Sequence, residues 1–161
     1  MDAILSRDAL RVAIANEQRG LHFYTRALEL TRDEATSEVF VRLVEEEKRH
    51  LLALQHEYEG LHQRYPALDK EPPLLYFDYD RLEDIFPQTQ PHVLQTTQSF
   101  SPAEALYIAM AAERRSYEFF SDYADKVEYP QGRAIFKKFA TEEQRHLRMI
   151  RRAYDALQDK A

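Results

Sequence analysis

Residues 40–54 read FVRLVEEEKRHLLAL and residues 136–150 read FKKFATEEQRHLRMI. At helical spacing the first stretch puts Phe40, Leu43, Glu47, His50 and Leu54 on one stripe, which continues to Leu61. The second puts Phe136, Phe139, Glu143, His146 and Ile150 on another, which continues to Leu157. Steps of three and four residues keep side chains on one face of an α-helix, so each stripe reads as the inward seam of a bundle. Each seam carries a Glu-x-x-His pair where apolar residues belong. A glutamate and a histidine three apart share one face within a turn and can grip one metal ion together.

The two stretches belong to a larger internal match. A shift of 96 lays Glu47 on Glu143 (143 − 47 = 96), His50 on His146 and Glu17 on Glu113 without a gap. Ala13, Arg19, Phe23, Phe40, Arg49, Leu51, Tyr58 and Leu61 meet identical residues at the same shift. The chain therefore reads as a duplicated helical hairpin with approximate twofold symmetry.

Working outward, a first helix is expected from about Ser6, its N-cap, to Thr31. Its stripe is Leu10, Ile14, Glu17, Leu21, Tyr24 and Leu28, with a glutamate inside an apolar seam. The second helix is expected to begin near Asp33–Thr36 and to end by Tyr65, because Pro66 disfavours helix before it. The third opens on Ser101-Pro102-Ala103-Glu104, an N-cap serine, a first-position proline and a capping-box glutamate, and should end near Glu128. Pro130 and Gly132 then mark a turn into the fourth helix, which runs almost to residue 161. The expected architecture is a single all-α, four-helix bundle of two antiparallel hairpins, 6–65 and 102–159, joined by a crossover over 66–101. The crossover is rich in Pro, Gln and Thr, with a short helix expected at Asp80–Phe86. Its length has a geometric reason: if the second and third helices run parallel, the connection must span a bundle roughly 40 Å long at 1.5 Å per residue.

Bulk properties narrow the function classes. The 161 residues suit one domain with a sizeable core, and only three glycines suit long helices. A formal net charge of −6 argues against nucleic acid as a partner. With no cysteine, the chain itself can form no disulfide, thiolate zinc site, iron–sulfur cluster or rubredoxin-type centre. The first residues are too charged for a signal-peptide core, and the apolar run around Ala105–Ala112 is far short of a membrane span, so a cytoplasmic protein is expected.

The candidate site is Glu17, Glu47, His50, Glu113, Glu143 and His146. Four ionised carboxylates facing one apolar interior are unfavourable unless compensated, and two divalent cations bring +4 against −4. Mixed carboxylate and imidazole donors suit iron or manganese, and zinc also fits. Glu46 and Glu142 lie about 100° off the seams and are set aside as ligands. Tyr24, two turns beyond Glu17, is placed either to hydrogen-bond a ligand carboxylate or to act as a core tyrosine bonded elsewhere. Tyr117 is a weaker candidate for that role. His22, His56, His62 and His92 read as surface residues.

At these residues the sequence resembles the rubrerythrin-like branch of the ferritin-like di-iron carboxylate superfamily, over both hairpins. The resemblance implies that Glu47 and Glu143 bridge two metals, that Glu17 and Glu113 are terminal ligands, and that His50 and His146 bind one metal each. It also implies a role for Tyr24, which matches the family's tyrosine seven residues after the first glutamate. Two features depart from the family: no cysteines for a rubredoxin domain, and Ser116 where rubrerythrins carry an additional glutamate. The expected function is redox chemistry of a di-iron site with dioxygen or peroxide, of oxidase, peroxidase or ferroxidase type. Ferrous iron is a candidate substrate, and an external electron donor a candidate partner. The alternative from another class is a non-catalytic protein in which two metals hold the hairpins together; hydroxylation of an organic substrate is a third reading. Leu74, Leu75, Tyr76 and Phe77 of the crossover are expected to pack on the bundle or on a second subunit, with a homodimer as the expected assembly.

Overall fold

A computed structural model describes residues 2–73, 101–126 and 130–159. The expected helix at Asp80–Phe86, the apolar Leu74–Phe77 segment, His92 and the expected third-helix end near Glu128 lie outside the described residues. Within them the chain forms four long helices: α1 (Asp2–Leu30), α2 (Glu34–Arg64), α3 (Pro102–Lys126) and α4 (Pro130–Gln158). One short 3₁₀ turn, Leu68–Lys70, follows α2.

Three helix boundaries have clear local causes. Asp33 caps α2 by accepting a hydrogen bond from the Thr36 backbone N–H at 2.8 Å. Tyr65 ends the helix immediately before Pro66, as the proline requires. At the start of α3 the capping box forms reciprocally: Glu104 N–H donates to Ser101 Oγ at 3.2 Å, and Ser101 N–H donates to Glu104 Oε2 at 3.0 Å.

Two boundaries differ from expectation. α1 starts four residues before Ser6, because Ala3 and Ile4 pack against the core and hold the helix through that point. Ser6 is thus an interior residue, 2% exposed, and not a cap. Pro130 and Gly132 lie inside α4 instead of preceding it. Proline is tolerated in a first turn, where its missing N–H would have no intrahelical partner.

Side-chain pairs fix the direction of the helices. Asn16 of α1 donates to Ser116 of α3, while Tyr24, further along α1, reaches back to Glu113. The numbering rises on one helix as it falls on the other, so α1 and α3 are antiparallel. The pairs Glu46–His146 and His50–Glu142 show the same for α2 and α4. Because each hairpin is itself antiparallel, α2 and α3 run parallel.

The core has two apolar layers with a polar layer between them. One layer includes Leu10, Leu54, Leu61, Phe120, Phe136 and Phe139; the other includes Phe23, Phe40, Leu43, Leu106 and Ile150. On α2 every seam residue from Phe40 to Leu61 is buried. On α1 the buried face is displaced from the expected stripe: Ala9, Ala13, Phe23 and Ala27 are buried, whereas Ile14, Leu21 and Leu28 are half-buried. Small alanines on this flank of the seam let neighbouring helices approach closely.

Arg7, 1% exposed, ties the start of the crossover to α1. Its guanidinium pairs with Asp8 at 2.7 Å and donates to the carbonyls of Leu68 and Glu71 at 2.5 and 2.9 Å. The planar fork serves several acceptors at once, which a lysine ammonium in the same place cannot match. Replacing Arg7 with alanine leaves Asp8 and the carbonyls of Leu68, Glu71 and Pro72 without this donor. Urea unfolding of Arg7→Ala is expected to show a loss of about 3–5 kcal/mol, with Arg7→Lys recovering less than half.

Candidate metal centre

The middle turns of the four helices deliver Glu17, Glu47, His50, Glu113, Glu143 and His146 to the polar layer. All six are at most 5% exposed. Two groups of donor atoms form, each with its members within 4.8 Å of one another. One is Glu17, Glu47, His50 and Glu143; the other is Glu47, Glu113, Glu143 and His146. Every residue expected at the site from the sequence is brought into it, and Glu47 and Glu143 belong to both groups.

The sharing is explicit at the atomic level. Nδ1 of His50 lies 3.6 Å from Glu47 Oε2 and 3.5 Å from Glu143 Oε1. Nδ1 of His146 lies 3.3 Å from Glu47 Oε1 and 3.6 Å from Glu143 Oε2. Each of these carboxylates therefore turns one oxygen to each histidine. Glu17 Oε2 stands 3.3 Å from Nδ1 of His50, and Glu113 Oε2 stands 3.5 Å from Nδ1 of His146. Donors to a common ion at about 2.1 Å are spaced roughly 3–3.5 Å apart, so these separations suit two metal positions side by side. The buried atoms His146 Nδ1, Glu113 Oε2 and Glu143 Oε1 make no hydrogen bond. Buried polar atoms without partners are costly, and a cation between them supplies the missing interaction.

The opposite edge of each imidazole is fixed by a carboxylate from the other hairpin. Nε2 of His50 forms an ion pair with Glu142 Oε2 at 2.6 Å, and Nε2 of His146 donates to Glu46 at 2.6 Å. This arrangement leaves Nδ1 facing inward on both rings, which stack 5.4 Å apart. Glu46 also accepts from Arg42 at 3.2 Å and from Arg145 at 2.5 Å. Glu46 and Glu142, set aside from the sequence, are thus functional neighbours of the histidines although neither joins the donor cage. Their pairing at the same shift (142 − 46 = 96) was the available signal. Within one helix that signal points to the histidine four residues on, whereas the real partner lies on the opposite helix.

The Tyr24 hydroxyl donates to Glu113 Oε1, on a different helix from Glu17. Burial and then the charge of Glu113 push its pKa upward, so it remains a donor. Tyr117 is half-buried against an apolar cluster. His22 and His56 are exposed as expected. His62 corrects the surface reading, being half-buried and 3.3 Å from Asp69, with its ring against Tyr58.

The titrating groups divide into two sets. Burial, reinforced by the neighbouring carboxylates, raises Glu17 and Glu113 well above the ordinary carboxylate range. Burial also pushes Glu47 and Glu143 upward, but the adjoining carboxyls of Glu17 and Glu113 and both imidazoles outweigh it and hold them low. Burial acts to lower both histidines, and the surrounding carboxylates outweigh it, so their pKa rises. Glu17, Glu113, His50 and His146 thus lean toward their protonated forms, and Glu47 and Glu143 toward their ionised forms.

Because Glu46 and Glu142 orient the histidines, Glu46→Gln and Glu142→Gln are each expected to weaken metal binding by about 10–100-fold. Competition against a chromophoric chelator measures this, with circular dichroism reporting an unchanged helix content.

No curated protein and no solved structure matches the chain. No helix among the described residues is long and apolar enough to cross a membrane. A family model does match, that of rubrerythrin, over residues 8–154. Those limits enclose all six clustered residues and both carboxylates behind the histidines, and the chain belongs to the rubrerythrin family.

Proposed function

We propose that Glu17, Glu47, His50, Glu113, Glu143 and His146 hold two iron ions, and that the chain is a non-haem di-iron oxidoreductase acting on dioxygen or peroxide. The observation that carries this reading is the double sharing of Glu47 and Glu143, each with one oxygen toward each histidine. In this reading those two carboxylates bridge, Glu17 and Glu113 are terminal ligands, and each histidine binds one ion through Nδ1. Iron is favoured over zinc because carboxylate and imidazole donors suit both of its common oxidation states. Two iron ions held there would supply the two electrons that reduction of peroxide to water consumes.

The protein's own part is to hold and shield. Glu46 and Glu142 keep a proton on each Nε2 and so keep each Nδ1 lone pair directed inward. Tyr24 occupies Glu113 Oε1 and leaves Oε2 for the cage. The apolar layers above and below exclude water, which strengthens the electrostatic contacts between them. With no cysteine in the chain, electrons come from outside it, either from a separate donor or from ferrous iron as substrate.

Anaerobic titration with ferrous iron, followed by air or peroxide, tests the proposal. Two irons bound per chain and oxidation faster than that of free iron are expected; binding without faster oxidation refutes the redox part. A second measurement reads the protonation state. Loading with zinc in weakly buffered solution near pH 7 should release about four protons per chain, two glutamic and two imidazolium. Since the displaced groups have raised pKa values, lower pH favours the protonated cage. Affinity should fall as pH falls, by roughly a hundredfold per ion per unit when two protons leave per ion.

A further inference from the structure

A groove of about 580 Å³ opens between α2 and α4 on the outer side of the metal centre. Its walls carry Arg42, Arg145, Arg148 and Arg152, and the carboxylate in its lining is that of Glu46. Within the lining, four guanidinium groups and the His146 ring face one carboxylate, with Glu34, Glu38 and Glu45 on the adjoining surface beside Arg42, on a chain whose net charge is −6. That concentration of positive charge opposes folding unless something offsets it.

Glu46 cannot offset all of it. Its Oε1 accepts from Arg42 at 3.2 Å, and its Oε2 accepts from Arg145 at 2.5 Å and from His146 at 2.6 Å. Arg148 and Arg152 stand apart from this set, exposed on the same face of α4 one turn apart. Nor does the repeat pattern account for them. At the shift of 96, Arg145 corresponds to Arg49 and Arg42 to Lys138, so the cations serving the Glu46 position recur. Arg148 and Arg152 correspond to Leu52 and His56, so their charge is particular to this groove. Val39 and Met149 contribute apolar lining, and Ala35 and Ala153 keep one end open.

We propose that this groove binds a small oxyanion carrying two or more negative charges, phosphate or a short dicarboxylate. Guanidinium groups bind such oxygens two at a time, and a cavity of this volume suits a small molecule. Charge and shape on the outer surface carry the proposal, which does not rest on the metal assignment.

Isothermal titration of the metal-free full chain tests it, with inorganic phosphate in one arm and succinate in the other. Working without metal removes any heat from an anion meeting an ion in the cage. Saturable binding of one anion per chain is expected, screened by added salt. The double variant R148Q/R152Q should weaken it at least tenfold, and R152Q alone should weaken it less. R151Q, which alters an arginine paired with Asp155 outside the groove lining, should leave it unchanged. Preference for phosphate identifies a phosphate-type ligand, preference for succinate a carboxylate, and equal binding recognition by charge alone. Absence of saturable heat in both arms, or equal binding by R148Q/R152Q and the parent chain, overturns the proposal.

Discussion

Four carboxylates lie within a few ångströms of one another between two layers of leucine, phenylalanine and isoleucine, and the rest of the molecule is arranged to make that tolerable. Ionised together and unpaired, they would repel one another in a medium that screens poorly. The layer answers with opposite charge close by: His50 and His146 stand among the four carboxylates, and on the proposed assignment two divalent cations would balance the four charges.

The outer carboxylates extend this balance. Glu46 and Glu142 each face a histidine from the opposite hairpin, and Glu46 is itself held by arginines. Each imidazole is thus clamped between an inner group of acids and an outer one. Asn16 and Ser116, and Tyr24 and Glu113, join the other two helices in the same layer. The polar layer is where the hairpins recognise each other, and the apolar layers supply the area that holds them together. Unlike apolar contacts, these hydrogen bonds tolerate little sliding, so they also set the axial register of one hairpin on the other.

Much of this was legible in the sequence because the seams of α2 and α4 are regular. Phe40, Leu43, Glu47, His50 and Leu54 hold a strict three-and-four rhythm, and all five are buried. The glutamates of α1 and α3 followed from the shift of 96. What was not legible depended on contacts between helices. A helical wheel assigns Glu46 an angle but does not say that His146 of another helix lies at that angle. Ser6 reads as a cap because serine usually caps; the packing of Ala3 and Ile4 on distant residues overrides it. The α1 stripe was displaced for a similar reason, since small residues pack closest where helices approach and hydropathy gives them little weight.

The crossing of partners between hairpins also bears on when the site comes into being during synthesis. Each donor group takes three residues from one hairpin and one from the other: Glu143 completes the set on Glu17, Glu47 and His50, and Glu47 completes the set on Glu113, Glu143 and His146. A ribosome that has delivered only the first hairpin has delivered neither complete set. The nascent chain passes through most of its length with its acidic residues unassembled, and the cage closes only after the last helix has emerged and docked. On the proposed metal assignment, a truncated or misdocked chain would have no complete cage with which to take ions.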